Sequence, residues 1–231
     1  LCAGDVLQLY INDEFFDKPS EENLFLTLFK PRLTVVYEDE HLLLADKPQG
    51  MVVHADETEK VNTLINHIQA YLYQKREWNP RWENAFAPAL CNRIDRNTGG
   101  MVIAAKNAET LRIINEKIRL REIDKRYLCI TVGRPKPPEG RIECFLLKDE
   151  QKKQVSVYHR PVPGGKTAVT LYRTLESQGG LSLVECRLLT GRTHQIRVSM
   201  AEIGCPLLGD GKYGKGDVNR RYHETRQALY S

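Results

Sequence analysis

Residues 92–106 read NRIDRNTGGMVIAAK, a polar turn that is followed at once by an apolar segment. The apolar half, residues 101–105, has the composition of a buried strand, and the Thr-Gly-Gly triplet before it is typical of a turn. Asp95 lies between Arg93 and Arg96, and a nearby guanidinium favours the charged form of a carboxyl group. We therefore expect Asp95 to be the centre of a functional site.

The composition is that of a globular protein. With 231 residues, the chain can form one large domain or two small ones around a substantial core. Hydrophobic residues make up 41% and charged residues 28%, which argues against disorder. No apolar run approaches the roughly 18 residues that a membrane span needs, and no basic region followed by an apolar one opens the chain. We therefore expect a cytoplasmic protein.

The cysteines and histidines are scattered along the chain. The six cysteines stand 15 or more residues apart without a C-x-x-C pair, so we expect reduced thiols, several of them buried in strands. The six histidines include no H-x-x-x-H or H-E-x-x-H spacing. The sequence therefore predicts no metal site.

The net charge of +4 conceals an uneven distribution. Residues 1–60 carry 5 Lys or Arg against 13 Asp or Glu, a net charge of −8. Residues 93–126 carry 9 basic against 5 acidic side chains, and residues 187–231 carry 8 against 4, so each segment has a net charge of +4. If folding brings these two segments together, they form a basic face suited to a polyanion; the alternative is a set of solvated surface charges.

The hydrophobic pattern predicts an α+β protein with a mixed, largely antiparallel sheet and a few flanking helices. We expect one helix over residues 61–75 and another that is capped by Asn107, ends near Leu120 and buries Leu111, Ile114 and Ile118. Residues 76–88, with two tryptophans, are predicted to be a loop. The predicted strands are residues 33–37, 41–45, 101–105, 127–132, 141–147, 154–159, 166–175 and 181–189.

A second polar motif, GRTHQIRVSMA at residues 191–201, follows the last predicted strand. We expect it to open a helix with Thr193 as N-cap and Arg197 one turn along the same face. Such a cluster suits a phosphate or a nucleobase, although an ordinary capped helix with exposed charges would look the same. Residues 204–216 contain five glycines without the spacing of a phosphate-binding loop, so we expect a structural loop there.

The two motifs together resemble the RluA-type family of pseudouridine synthases. Residues 92–106 resemble its H-R-L-D-x-x-T-S-G-[apolar]-A-K signature, and residues 191–197 match its G-R-T-H-Q-[IL]-R signature. The resemblance covers roughly residues 33–230, and several short motifs occur in the family's order. These supporting motifs are residues 37–39, 46–48, 52–54, 125–127, 209–210 and 213–214.

Three positions depart from the family's pattern. Asn92 stands where the family usually has His, Gly99 where it usually has Ser, and Ser199 where His is common. None of them is Asp95, Tyr127 or Arg197, the acid, the tyrosine and the final arginine of the motifs, so the resemblance still implies activity. The departures concern RNA contact and the stiffness of the loop.

The resemblance also implies a domain arrangement. Residues 1–32 are expected to be the remnant of a small S4-like RNA-binding domain and a linker. Residues 33–231 are expected to be the catalytic domain, with a cleft across its sheet, and we expect it to be cut short at the carboxyl end. We also expect a monomer.

The reaction implied by the resemblance isomerises uridine in structured RNA. Asp95 is the expected catalytic residue, whose carboxylate acts as a nucleophile on C1′ of the ribose or as a base on its 2′ proton. Arg197 is expected to pair with Asp95, and Tyr127 to stack on the target base. The enzyme must take that base out of the RNA stack, and Arg93 is placed to fill the gap or to contact phosphate. The other expected RNA-binding residues are Arg96, Thr98, Arg192, His194, Gln195 and Ile196.

The expected partner is RNA, and ribosomal RNA is preferred to transfer RNA as the expected substrate. Neither a cofactor nor a membrane is implied. The alternative is a non-catalytic RNA-binding or ribosome-assembly factor on the same fold, because fold and function can separate. A glycosidase would need a second carboxylate that faces Asp95 across the substrate, and the second motif contains no acid.

Overall fold

The computed structural model describes residues 23–231, which form ten strands and four α-helices after a short 3-10 turn at Leu24–Thr27. The strands are β1 (Thr34–Glu38), β2 (Leu42–Lys47), β3 (Ala89–Leu90), β4 (Gly100–Ala105), β5 (Lys125–Val132), β6 (Glu139–Asp149), β7 (Gln154–Tyr158), β8 (Lys166–Gln178), β9 (Leu181–Leu188) and β10 (Leu229–Tyr230). The helices are α1 (Leu64–Gln74), α2 (Ala108–Arg119), α3 (Gln195–Glu202) and α4 (Gly216–Arg221).

The strands form two antiparallel sheets that meet at one point. The first has the order β1-β2-β4-β3 and the second β10-β5-β9-β8-β6-β7. A parallel bridge between Gly99, just before β4, and Tyr230 of β10 joins them. The predicted α+β class with a mixed, largely antiparallel sheet is therefore confirmed, and the junction lies next to the 92–106 motif.

The first sheet packs on α1. Leu43 of β2, Val102 of β4 and Ile68 of α1 are fully buried in this core. The helix begins after Thr63, whose side-chain oxygen accepts a hydrogen bond from the Asn66 amide and so satisfies a free N–H group of the first turn. It is therefore three residues shorter at its start than the pattern predicts.

A segment before β1 completes this core. Phe25 is buried, with its ring centroid 5.1 Å from that of Trp78 and 5.6 Å from that of Tyr73. Trp78 therefore packs inside, whereas Trp82 of the same loop is exposed. Part of the segment predicted to be a domain remnant and linker thus packs on the core of the first sheet, and residues 1–22 of that segment are outside the described residues.

The second sheet packs on α3. Val184 and Cys186 of β9, Met200 of α3 and Leu207 are fully buried in its core. The Cys186 thiol lies 3.9 Å from that of Cys129, and both are free, as predicted for cysteines in strands. This core fixes the position of α3, which carries the second motif.

Helix α2 covers the first sheet only in part. Asn107 caps it as predicted, since its side chain accepts from the Thr110 amide at 2.8 Å. Leu111, Ile114 and Ile118, which are predicted to be buried, are only half-buried. The helix packs mainly on a single strand, β4. Among the helices of residues 23–231, none is both long and apolar enough to cross a membrane.

Candidate active site

Asp95 lies in the loop between β3 and β4, at the junction of the two sheets. Its carbonyl accepts from the Thr98 amide at 3.0 Å, which closes the turn before β4. The Asn92 side chain ties the loop to β4, because it donates to the Met101 carbonyl and accepts from the Ile103 amide. Asn92, one of the departures from the family pattern, thus serves to fix the Asp95 loop.

A buried lysine holds the same loop from below. Lys47 is 0% exposed, and its Nζ donates to the carbonyls of Pro48, Met51 and Arg96 at 3.0, 2.8 and 3.0 Å. Burial lowers the pKa of Lys47 to about 8, and the nearby Asp95 carboxylate opposes that shift. Because Arg96 directly follows Asp95, Lys47 positions the acid through the backbone.

Arg197 joins the Asp95 loop to α3. Its Nη1 donates to Asp95 Oδ2 at 3.3 Å, so the predicted pair over a hundred residues of sequence is confirmed. Its closer partner is Asp210, which accepts from Nε at 2.7 Å and from Nη2 at 2.9 Å. Asp210 is 0% exposed, and the Arg197 guanidinium helps to hold its pKa below the usual range against the opposing effect of burial. Arg197 is therefore fixed in direction by Asp210 and directed at Asp95.

The glycine-rich loop at residues 204–216 fixes the Asp210 side chain through backbone amides. Asp210 Oδ1 accepts from the Lys212 and Tyr213 amides at 2.8 and 3.1 Å. Gly209 has φ +77°, and a Cβ there would lie 2.0 Å from the Arg226 carbonyl oxygen, which no other residue type can accommodate. The predicted structural role of this loop is confirmed by that close approach.

The start of α3 differs from the prediction. Thr193 is not the N-cap; His194 occupies that position in the left-handed region at φ 55°, without a side-chain cap. The Gln195 side chain organises the turn instead, because its Oε1 accepts from the Thr190 hydroxyl at 2.9 Å and from the Arg192 amide at 3.1 Å. The turn therefore leaves the N-cap position to His194 and presents its ring to the site.

Tyr213 holds the ring of His194 in place. The Tyr213 hydroxyl accepts from the Val155 amide at 2.8 Å and forms a second hydrogen bond with His194 Nδ1, also at 2.8 Å. Burial lowers the pKa of His194 to about 4, and the nearby Asp95 carboxylate opposes this shift. His194 Nε2 lies 3.9 Å from Asp95 Oδ2, too far for a hydrogen bond.

Asp95 and Tyr127 both line a cleft of about 970 Å³. The side chain of Asp95 is 30% exposed, and within residues 23–231 its Oδ1 has no hydrogen-bond partner. Tyr127 is half-buried on the cleft face of β5, where burial raises the pKa of its phenol, a hydrogen bond with Ser231 opposes that shift, and the Asp95 carboxylate adds to it. The cleft therefore holds an open carboxylate oxygen and a protonated aromatic side chain.

The wall of the cleft is strongly basic. Seven Lys or Arg side chains line it against two acidic ones. The basic residues are Arg93, Arg96, Lys125, Lys148, Arg192, Arg197 and Lys212; the acids are Asp56 and Asp95. All but Lys148 of these cations come from the two basic segments of the sequence, which thus meet at the cleft, so the first of the two alternatives that the charge distribution left open applies.

Three of the predicted RNA-binding arginines differ in availability. Arg93 and Arg192 are exposed, and neither forms an ion pair with any residue between 23 and 231, although Arg192 Nε donates to the Thr167 carbonyl. Arg96 is bound to Asp56 at 2.9 Å. A polyanion can therefore reach the first two directly, whereas it must compete with Asp56 for the third.

Three other predicted contacts lie deeper. Thr98, Gln195 and Ile196 are each at most 3% exposed. Thr98 Oγ1 accepts from Gln227, and Ile196 belongs to the core beneath the second sheet. Their contact with RNA stays a prediction, limited to the few atoms that reach the cleft surface.

The remaining departures from the family pattern lie beside the junction and inside α3. A Cβ at Gly99 would approach the Tyr230 ring to 3.1 Å, so glycine allows the tight bridge to β10. Ser199 is buried in α3 and does not line the cleft. Neither position removes a group from the cleft.

Sequence reasoning missed three residues that position the site. The sequence predicts no role in the site for Lys47 and only a structural loop for Asp210 and Tyr213, although all three occur in the supporting motifs. Within the part of the chain that the structure describes, no three His, Cys, Asp or Glu side chains cluster as metal ligands would.

Known proteins share both the sequence and the fold. A family model described as RNA pseudouridylate synthase matches residues 41–202. "Uncharacterized RNA pseudouridine synthase YlyB" of Bacillus subtilis is 34% identical over 196 residues, which cover 85% of this chain and 62% of that protein. "Ribosomal large subunit pseudouridine synthase D" of Zymomonas mobilis is 36% identical over 197 residues, 85% of this chain and 60% of that protein. The chain thus spans about three fifths of these relatives.

The fold agrees with a solved structure. "Human RNA Pseudouridylate Synthase Domain Containing 4" superimposes with a TM-score of 0.69 at 22% identity, over 91% of this chain and 85% of that one. At that identity the likeness concerns the fold, while the family model covers well over half of the sequence. The chain belongs to the RNA pseudouridylate synthase family.

Proposed function

We propose that this protein is an RNA pseudouridine synthase. The reaction breaks the bond between C1′ of the ribose and N1 of uracil, turns the base, and joins C1′ to C5. The proton on C5 is lost and N1 gains one, so the product is an isomer of the substrate and no electrons are transferred. Family membership supports this activity.

One observation carries the proposal: the open carboxylate oxygen of Asp95 at the base of a basic cleft. Its Oδ2 is held by Arg197, and its Oδ1 has no partner among the described residues. A carboxylate that is fixed through one oxygen leaves the other free for the sugar. It can attack C1′ or remove the 2′ proton, and a deuterium at C2′ distinguishes the two because only the second route breaks that bond.

Tyr127 and Arg197 have complementary roles in this proposal. Tyr127 lies on the cleft face of β5, and its ring offers a surface on which the extruded uracil stacks. Its raised pKa keeps the phenol protonated at neutral pH, so it can pass on the C5 proton only by releasing its own. Arg197 orients Asp95, and the imidazole of His194 lies beside the same carboxylate, with Nε2 3.9 Å from Asp95 Oδ2.

The arginines of the cleft are the proposed RNA contacts. Arg93 is exposed beside Asp95 and has no ion pair within the described chain, so it can fill the gap left by the extruded base or bind a phosphate. Arg192 faces the cleft from the other motif, and Arg96 joins when RNA displaces Asp56. Thr98, Gln195 and Ile196 support the cleft wall from beneath.

The substrate we propose is large-subunit ribosomal RNA. The support is the name of the relative from Zymomonas mobilis, a ribosomal large subunit pseudouridine synthase. We further propose that the protein acts as a monomer, without a cofactor, in the cytoplasm where that RNA is found.

The experiment is to map pseudouridines in ribosomal and transfer RNA from cells that lack this gene. The purified protein should restore a small set of missing modifications in the ribosomal fraction, and the Asp95→Asn variant should restore none. If both proteins bind the RNA equally and neither adds a pseudouridine, the protein is a non-catalytic RNA-binding factor. New pseudouridines in transfer RNA alone would overturn the proposed substrate.

A further inference from the structure

Lys125 opens β5 on the same face as Tyr127. Side chains alternate along this strand: Lys125, Tyr127 and Cys129 turn inward, whereas Arg126 and Leu128 are exposed on the other face. Two residues along a strand span about 7 Å. Lys125 therefore lines the cleft one such step from the proposed base-stacking tyrosine.

The Lys125 ammonium has no compensating charge. Within residues 23–231 it forms no ion pair or hydrogen bond, while the adjacent Arg126 pairs with Asp124 at 3.3 Å. Burial alone lowers its pKa, without an opposing carboxylate. A half-buried cation without a partner destabilises a fold, so its presence in a cleft points to a ligand that supplies the negative charge.

The surroundings of Nζ identify the kind of ligand. A Cβ on Gly191 would lie 3.6 Å from Lys125 Nζ, so the ammonium rests against the loop that presents Arg192. Lys125, Gly191 and Arg192 all line the cleft, so two cationic side chains flank this turn, an arrangement that suits an anion.

We propose that Lys125, together with the Gly191–Arg192 turn, binds a phosphodiester of the RNA backbone next to the uridine that is modified. The inference rests on the proposed function for the identity of the polyanion. It adds a specific anchor, because a phosphate fixed one step from Tyr127 positions the extruded nucleotide for Asp95.

The experiment measures RNA binding as a function of salt for Lys125→Gln, Lys125→Arg and the control Lys117→Gln. All variants carry Asp95→Asn, so that the RNA is not converted during the measurement. Lys117 is an exposed lysine of α2 that pairs with Glu122, and its loss removes the same charge outside the cleft. Each phosphate contact contributes about 0.7 to 0.9 to the slope of log K against log salt.

We expect Lys125→Gln to bind a structured RNA about tenfold more weakly at moderate salt and to lower the slope by about 0.7 to 0.9. Lys125→Arg should retain the slope, and Lys117→Gln should leave affinity and slope unchanged. The melting temperature of Lys125→Gln should equal or exceed that of the parent, because an uncompensated charge is removed. An unchanged slope, or a lower melting temperature with unchanged binding, would overturn the phosphate site.

A neutral linkage locates the contact. A single methylphosphonate beside the mapped uridine should weaken the parent, and Lys125→Gln should add no further loss at that linkage. If the two losses add at every linkage, Lys125 does not bind one of these phosphates. Binding needs no turnover, so a reduced slope in a protein that forms no pseudouridine would overturn the proposed function and leave the phosphate site standing.

Discussion

Arg197 grips Asp210 more closely than it grips Asp95. The guanidinium makes two hydrogen bonds to the buried Asp210, at 2.7 and 2.9 Å, and only one of 3.3 Å to Asp95. Asp210 binds Nε and Nη2 of Arg197, so Nη1 alone donates to Asp95, and it does so to Oδ2. Asp95 Oδ1 has no hydrogen-bond partner among the described residues. The relationship explains how a carboxylate can be both oriented and reactive.

Replacing Asp210 should therefore affect both stability and activity. In Asp210→Asn the buried guanidinium loses its ionic partner, and breaking a buried pair lowers the free energy of unfolding by about 3 kcal/mol or more. Without its ionic partner, Arg197 should turn towards Asp95 and lower the rate of pseudouridine formation at least about tenfold. That loss corresponds to about 1.4 kcal/mol of activation free energy. Urea denaturation and single-turnover assays measure the two effects.

The matched control is Asp217→Asn in the first turn of the short helix α4, where the side chain is exposed. It should change the free energy of unfolding by less than about 1 kcal/mol and leave the rate unchanged. Equal effects of the two substitutions would mean that the Arg197–Asp210 pair has no special role.

Lys47 should contribute to stability through the backbone of the Asp95 loop. Lys47→Met keeps the apolar stem but removes the Nζ donor from the carbonyls of Pro48, Met51 and Arg96, of which only that of Arg96 keeps a backbone donor, the Gly50 amide. Each buried group left without a partner costs about 1 to 3 kcal/mol. We expect the free energy of unfolding to fall by about 3 kcal/mol and amide exchange near Arg96 to speed up. A loss below about 0.5 kcal/mol, no larger than for an exposed lysine, would contradict this role.

His194 makes stability dependent on pH. Its pKa is about 4 in the folded protein and about 6.5 in an unfolded chain, so the unfolded state binds the extra proton between these values. The free energy of unfolding should therefore fall as the pH is lowered from about 6.5 towards 4. His194→Asn should flatten that dependence, because asparagine tolerates the left-handed backbone and does not titrate. If the wild type and His194→Asn lose the same free energy of unfolding between pH 7 and pH 5, His194 is not the cause.

Asp56 should compete with RNA for Arg96. Asp56→Asn removes an acid from the cleft and leaves the Arg96 guanidinium without its ionic partner, with only the Thr58 hydroxyl as acceptor, so RNA affinity at low salt should rise severalfold. Glu116→Gln frees Arg119 on α2 in the same way but outside the cleft, and its affinity should stay at the wild-type value. If both variants bind like the wild type, Arg96 does not contact RNA.

Local sequence was sufficient for the elements with strong patterns. The apolar run after Thr98 is strand β4, and Asn107 caps α2 because a short polar side chain before a helical pattern satisfies its first free amides. The pairing of Arg197 with Asp95 came from the family resemblance, since no local pattern specifies a contact across 102 residues of sequence.

The missed features depend on tertiary contacts. From the sequence alone, Asp210 is an ordinary loop residue. In the folded chain, Gly209 allows a close backbone approach, and the Asp210 carboxylate is buried against Arg197. Lys47 is a lysine in a Pro-Gly turn, and only folding encloses it among three carbonyls. Thr193 was the wrong N-cap because Gln195, a helix residue, reaches back to organise the turn.

The most direct test of the account is release of tritium from RNA that carries tritium at C5 of uridine, compared between the wild type and Asp95→Asn. The reaction replaces the C5–H bond by a bond to C1′, so every conversion releases the label. Arg197 keeps Asp210 as its partner in the variant, and Asp95 is part-exposed, so the fold should be preserved and RNA affinity should stay within a few-fold. We predict release by the wild type and none above background by Asp95→Asn; release at the wild-type rate by the variant would contradict the assignment of Asp95.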